Sequence, residues 1–79
     1  MDMKKLGKLK VLVDEHNKDH PEEITMKVEN EFCAIVRSEY GFIGSVFMRN
    51  LFKITDDVVI STYRDGTLRL RVYLYNERS

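Results

Sequence analysis

Asp57-Val58-Val59-Ile60-Ser61-Thr62-Tyr63-Arg64-Asp65-Gly66-Thr67-Leu68-Arg69-Leu70-Arg71-Val72-Tyr73-Leu74-Tyr75 is the stretch on which the fold turns. Two β-rich runs flank an Asp-Gly pair, a strong short-range hairpin signal. A two-residue Asp65-Gly66 loop would put Val59, Ser61 and Tyr63 on the face of Leu68, Leu70 and Val72. A three-residue Arg64-Asp65-Gly66 loop, with glycine in the left-handed position, instead puts Val58, Ile60 and Thr62 beside Leu68, Leu70, Val72 and Leu74. A one-residue slip moves every side chain to the other face, so burial of the aliphatics selects the longer loop. The opposite face then carries Val59, Ser61 and Tyr63 with Arg69, Arg71, Tyr73 and Tyr75. Arginines interleaved with tyrosines suit phosphate and base contacts. The same pattern also serves a solvated sheet face with Arg–Tyr packing across strands.

Upstream, Leu6, Leu9, Val13 and His16 recur at spacings of three and four, which predicts a helix over residues 4–17. Gly7 weakens it by about 1 kcal/mol relative to alanine. Pro21-Glu22-Glu23 is a good helix start, because proline suits the first position and glutamates complement the helix dipole. Ile24, Val28, Phe32, Ile35 and Val36 continue as an apolar stripe to about Tyr40, with Gly41 as the stop. A competing reading makes residues 32–47 a pair of strands turning at Glu39-Tyr40-Gly41. A third helix is predicted from Ser45, as its cap, to about Lys53. Val46, Phe47, Leu51 and Ile54 would face inward and Ser45, Arg49, Asn50 and Lys53 outward. Phe32, Phe47, Met48 and Phe52 fall at helical spacings and read as core.

The expected fold class is therefore α+β, one domain over residues 1–79, with three helices followed by a C-terminal β-hairpin. That order resembles a winged helix-turn-helix domain. The resemblance implies a nucleic-acid-binding regulator in which the helix before the hairpin enters the major groove and the hairpin is the wing. Carried over residue by residue, Ser45, Arg49, Asn50 and Lys53 would meet base edges, and Arg64, Arg69 and Arg71 would meet phosphates. The alternative is a small protein–protein interaction module or inhibitor, using the acidic face of the second helix or the Tyr-Arg sheet face.

Composition limits other classes. Thirteen basic residues balance thirteen acidic ones, with basic ends around an acidic middle. That leaves room for a local basic patch without the overall excess of a dedicated nucleic-acid binder. A chain of this size buries only about 60% of its unfolded surface. With Cys33 as its one cysteine it has no internal disulfide, so a homodimer is expected. The lysines after Met1 predict no secretory leader, and the longest apolar run, Phe32–Val36, is too short to span a membrane. These features predict a cytoplasmic protein.

An enzyme is not expected, and no cofactor motif is present: there is no glycine-rich phosphate loop, His-Glu-x-x-His or Cys-x-x-Cys. His16 and His20 have a metal-ligand spacing on a helix, but His20 precedes Pro21 and is pushed out of the α region, so no metal site is expected. Cys33 sits among apolar residues and reads as an inert packed thiol. Asp56-Asp57 reads as a solvated turn. Candidate partners are duplex DNA, another protein, or a second copy of the chain.

Overall fold

In a computed structural model, which describes residues 1–21 and 23–76, the chain runs α1 (Met3–Asp19), β1 (Ile24–Val28), β2 (Cys33–Ser38), α2 (Ser45–Phe52), β3 (Val58–Thr62) and β4 (Leu68–Tyr73). The strands form one antiparallel sheet in the order β1-β2-β4-β3. The plan is thus helix–hairpin twice over. The two hairpins join through their second strands, β2 and β4, and leave β1 and β3 at the edges.

The fold is α+β, but among the described residues it has two helices where three were expected. Residues 24–38, expected as the second helix, form a hairpin instead. The i, i+4 spacing of Ile24, Val28 and Phe32 imitates a helix. The period of two is the one obeyed: Ile24, Met26 and Val28 alternate with Thr25 and Lys27, and Ala34, Val36 and Ser38 with Ile35 and Arg37. Asn30 supplies the turn, its Oδ1 accepting from the Phe32 N–H at 2.8 Å, a local bond of the kind that competes with helix. The competing strand reading holds for Cys33–Ser38 only: residues 42–44 are loop, Ser45 starts α2, and the strand that pairs with β2 on this side precedes it in the chain. Pro21 and Glu23 lie in the turn before β1, and Glu22, from the expected helix start, lies outside the described residues. Without a second helix the winged-helix order is gone.

The β3–β4 hairpin has the expected register. Val58, Ile60 and Thr62 lie opposite Val72, Leu70 and Leu68. The Tyr63 N–H donates to the Thr67 carbonyl at 3.0 Å, closing a three-residue loop with Gly66 at φ 88°. Asp65 finishes this turn by accepting from both the Thr67 N–H (2.9 Å) and the Thr67 hydroxyl (2.6 Å).

Helix α1 agrees with its sequence pattern and is capped by Asp2, whose Oδ1 accepts from the Lys4 and Lys5 N–H groups. Its buried residues Leu9 and Val13 meet Phe47 and Leu51 of α2 and Ile24, Ala34, Val36, Leu70, Val72 and Leu74 in one core. Both helices therefore lie on the same face of the sheet, two layers over one core. Helix α2 departs from expectation at its start and in the faces it presents. Gly44, not Ser45, is its N-cap, and no side chain caps it. Val46, expected inward, is 65% exposed. Of the aromatics expected in the core, Phe47 is buried, whereas Phe32 and Phe52 are about half exposed.

Candidate functional site

With both helices on one side, the other face of the sheet is open, and the registers lay it out in rows. Thr25, Arg37, Arg69 and Ser61 are successive neighbours across β1, β2, β4 and β3. The next row is Lys27, Ile35, Arg71 and Val59, and beyond it Cys33 faces Tyr73. Two rows of an uncovered face thus hold Lys27, Arg37, Arg69 and Arg71.

Arg37 and Arg69 stand directly opposite one another on the two central strands. Like charges in that position destabilise a sheet. Their surroundings offset the repulsion only in part. Arg37 Nε lies 3.6 Å from Glu39 Oε1, within ion-pair reach but too long for a hydrogen bond. The Arg69 guanidinium lies 4.1 Å over the Tyr63 ring, a cation–π contact. The Nε atoms of both arginines are buried and have no hydrogen-bond partner among the described residues. They line a groove of about 330 Å³ together with Thr25, Lys27 and Ile35. Arg71 Nε lies 3.8 Å from Glu29 Oε2 with both side chains well exposed, a pair worth little in water.

Aromatic rings border the basic rows. At one end Tyr63 lies under Arg69. At the other, Tyr73 and Tyr75 stack at 5.8 Å with their planes 10° apart, and Phe32 leans on Tyr75 at 5.6 Å. Phe32, Tyr63 and Tyr75 are all exposed.

The residues chosen from sequence divide between the two layers. Arg69 and Arg71 are on the open face, and Arg64 is exposed in the loop at the tip of the β3–β4 hairpin. Ser45, Arg49, Asn50 and Lys53 belong to α2 and its end, in the helix layer on the far side of the sheet. Asn50 does not point outward as expected: it lines a hollow with Leu12 and Glu15 of α1. The seven residues do not share a surface. Lys27 and Arg37, which complete the basic rows, went unnoticed because residues 24–38 read as helix. Their signal was the alternation of Ile24-Thr25-Met26-Lys27-Val28.

The residues considered for chemistry pack against their neighbours. His16 and His20 stack at 5.1 Å, and both reach Glu23 Oε2, at 3.6 and 3.4 Å. His20 has left the helical conformation at φ −135°. Among the described residues no group of three His, Cys, Asp or Glu side chains is arranged to hold a metal. Cys33 is buried, and burial, with a hydrogen bond to Glu29, pushes its thiol above the usual value, away from the reactive thiolate. A hollow of about 480 Å³ between α1 and α2 is walled by Glu15, His16, Asp19, His20, Phe47 and Asn50 among others. Its carboxylates make it a poor seat for an anion. Among the described residues no helix is long and apolar enough to cross a membrane.

Comparisons with known proteins add no relative: no protein-family model matches the chain, and neither a curated protein nor a solved structure is significantly similar to it.

Proposed function

We propose that the open face of the sheet binds single-stranded nucleic acid, and that the protein is a small non-enzymatic binding module. The observation that carries this reading is the Arg37–Arg69 pair. Two guanidiniums face each other across the central strands, their Nε atoms have no hydrogen-bond partner among the described residues, and they border a groove on an uncovered surface. Phosphate oxygens would relieve the repulsion and accept from the guanidinium N–H groups that border the groove. The exposed rings of Phe32, Tyr63 and Tyr75 offer base-stacking surfaces beside the charges. A basic track with aromatic platforms is the usual equipment for a flexible single strand. Duplex reading by a recognition helix has no support, because Arg49 and Lys53 lie on the opposite side of the molecule from Arg69 and Arg71. The neutral net charge is consistent with a local patch of modest affinity.

Titration of a labelled single-stranded RNA and DNA, by anisotropy across salt concentrations, tests the proposal. Four neutralised phosphates predict a log–log salt slope of roughly −3, from about 0.7 per phosphate on single strands. Arg37→Gln or Arg69→Gln should reduce the slope by about 0.7, and Tyr75→Ala should cost about 1–3 kcal/mol of binding if a base stacks there. Arg49→Ala, on the other layer, should change nothing. Arg37→Gln should leave the melting temperature unchanged or raise it, because the pair is repulsive in the free protein. No binding at about 50 mM salt, or binding insensitive to all three of Arg37, Arg69 and Tyr75, overturns the reading.

A further inference from the structure

Among the described residues, strand β3 ends the sheet with its outer side unpaired. Tyr63 N–H donates to the Thr67 carbonyl and Tyr73 N–H to the Asp57 carbonyl. The odd-numbered residues of β3 therefore bond inward to β4, because antiparallel pairs alternate. Val58, Ile60 and Thr62 turn their peptide groups outward, and of these the Val58 N–H is satisfied locally by the Asp56 carbonyl at 3.1 Å. The strand reads Val58-Val59-Ile60-Ser61-Thr62, with no charge, proline or glycine. Natural proteins blunt edges with such residues to prevent pairing. The opposite edge is blunted: the Asn17 carboxamide donates to the Ile24 carbonyl at 2.7 Å and accepts from the Ile24 N–H at 3.2 Å, and Lys27 lies further along. On the helix side of β3, Ile60 is 55% exposed, and Phe52 at the end of α2 is 50% exposed.

We infer that β3 pairs antiparallel with β3 of a second copy, about a two-fold axis through Ile60. The outward-turned positions are symmetric about Ile60, so Ile60 meets Ile60 and Val58 meets Thr62, and each copy supplies donors to the other's acceptors. No like charges oppose one another in this register. A one-residue slip would bring inward-bonded positions to the junction and leave the outward groups unmet. A two-fold closes the contact, whereas a parallel pairing of the same edge does not. The exposed Ile60 side chains would cover each other on the helix side. Two four-stranded sheets would join into one, with every helix on one side and both basic faces on the other. The doubling of a nucleic-acid track is the only part of this inference that rests on the proposed function.

Sedimentation equilibrium of the full chain without nucleic acid, from low micromolar to submillimolar concentration, is the test. The wild type should reach twice the 9.3 kDa monomer mass and dissociate on dilution. Ile60→Lys and, separately, Thr62→Lys should remain monomeric with unchanged far-ultraviolet circular dichroism, and Val28→Lys on the other edge should still dimerise. A wild type that stays monomeric throughout overturns the inference. So does dimerisation that survives both β3 substitutions, or that is lost equally with Val28→Lys. Nucleic-acid titration of the monomeric variant reads the basic face separately, so either idea can fail without the other.

Discussion

The two helix–hairpin halves follow one plan and are finished differently. In the first, α1 has 17 residues, and its last turns are stitched to the sheet through Asn17, which bonds both peptide groups of Ile24, and through His16 beside Glu23. In the second, α2 has 8 residues, lacks a side-chain cap, and leaves Val46, Phe52 and Ile60 half exposed or more. The longer helix completes both its own stripe and the edge of its hairpin. The shorter one buries Phe47 and Leu51 and stops. The first half is closed off and the second is open, and that asymmetry locates the edge where a partner has room to join.

Core truncation is the strongest way to expose the difference. Leu9 of α1 is fully buried in the shared core, whereas Phe52 of α2 is half exposed. Leu9→Ala should cost about 2–5 kcal/mol. Phe52→Ala, although it removes more atoms, should cost well under that in dilute solution, because most of what it removes is not buried. Chemical denaturation of both variants measures this, and equal losses would mean that the second helix is held as firmly as the first.

The halves also touch through their turns. Ser38 is buried and its hydroxyl donates to the Phe42 carbonyl at 2.7 Å, closing the turn after β2. Gly41 in that turn sits at φ 75°, and a Cβ there would lie 2.7 Å from the Gly66 carbonyl oxygen in the tip of the other hairpin. Gly66 itself, at φ 88°, has open space around it. Gly66→Ala carries left-handed strain alone, roughly 1 kcal/mol. Gly41→Ala carries that strain plus a clash with backbone, so about 2–3 kcal/mol is expected. Equal melting temperatures for the two variants would show that the turns do not press on each other.

Much of the second half is legible in the sequence, and the first hairpin is not. At residues 57–75, Asp65-Gly66 marked the turn, and only one loop length gathered Leu68, Leu70 and Val72 with Val58 and Ile60. Local turn chemistry and burial agreed, so loop, register and the Arg69–Tyr63 face were all readable. At residues 24–38 the turn is made by Asn30 without a glycine, and Ile24, Val28 and Phe32 satisfy a helix period as well as a strand period. Pro21-Glu22-Glu23 then tipped the balance the wrong way. What decides the matter is pairing with β4, through the neighbours Cys33–Tyr73 to Ser38–Leu68, and that contact is distant in sequence. The site was half read for the same reason: Arg69 and Arg71 lie on the hairpin that was found, and Lys27 and Arg37 on the one that was missed.

Asn17 offers a finer test of the closed edge. Asn17→Ala removes two part-buried hydrogen bonds to Ile24, and should cost about 1–2 kcal/mol at roughly 0.5–1.5 for each bond. It should also expose the outward peptide groups of β1, so hydrogen exchange at the Ile24 amide should accelerate more than at the Leu70 amide in the centre of the sheet. Uniform acceleration at both would mean that the substitution lowers global stability without opening the edge.

The smallest effect separates the turns by pH. Asp65 accepts from the hydroxyl and the N–H of Thr67, and these bonds, more than the nearby Arg37 and Arg69, hold its carboxyl below the ordinary 3.8. A carboxyl whose value is lowered in the folded state stabilises that state above the ordinary value and loses the contribution as pH falls through the folded one. The β3–β4 turn should therefore weaken only in acid below about pH 4, while the β1–β2 turn, built on the uncharged Asn30 amide, should be indifferent. Asp65→Asn should flatten the acid limb of a stability–pH profile and lie nearest to wild type at the acid end. Asn30→Ala should instead lower the profile evenly without changing its shape. An acid limb unchanged by Asp65→Asn would move the pH sensitivity to other carboxylates and leave the two turns alike.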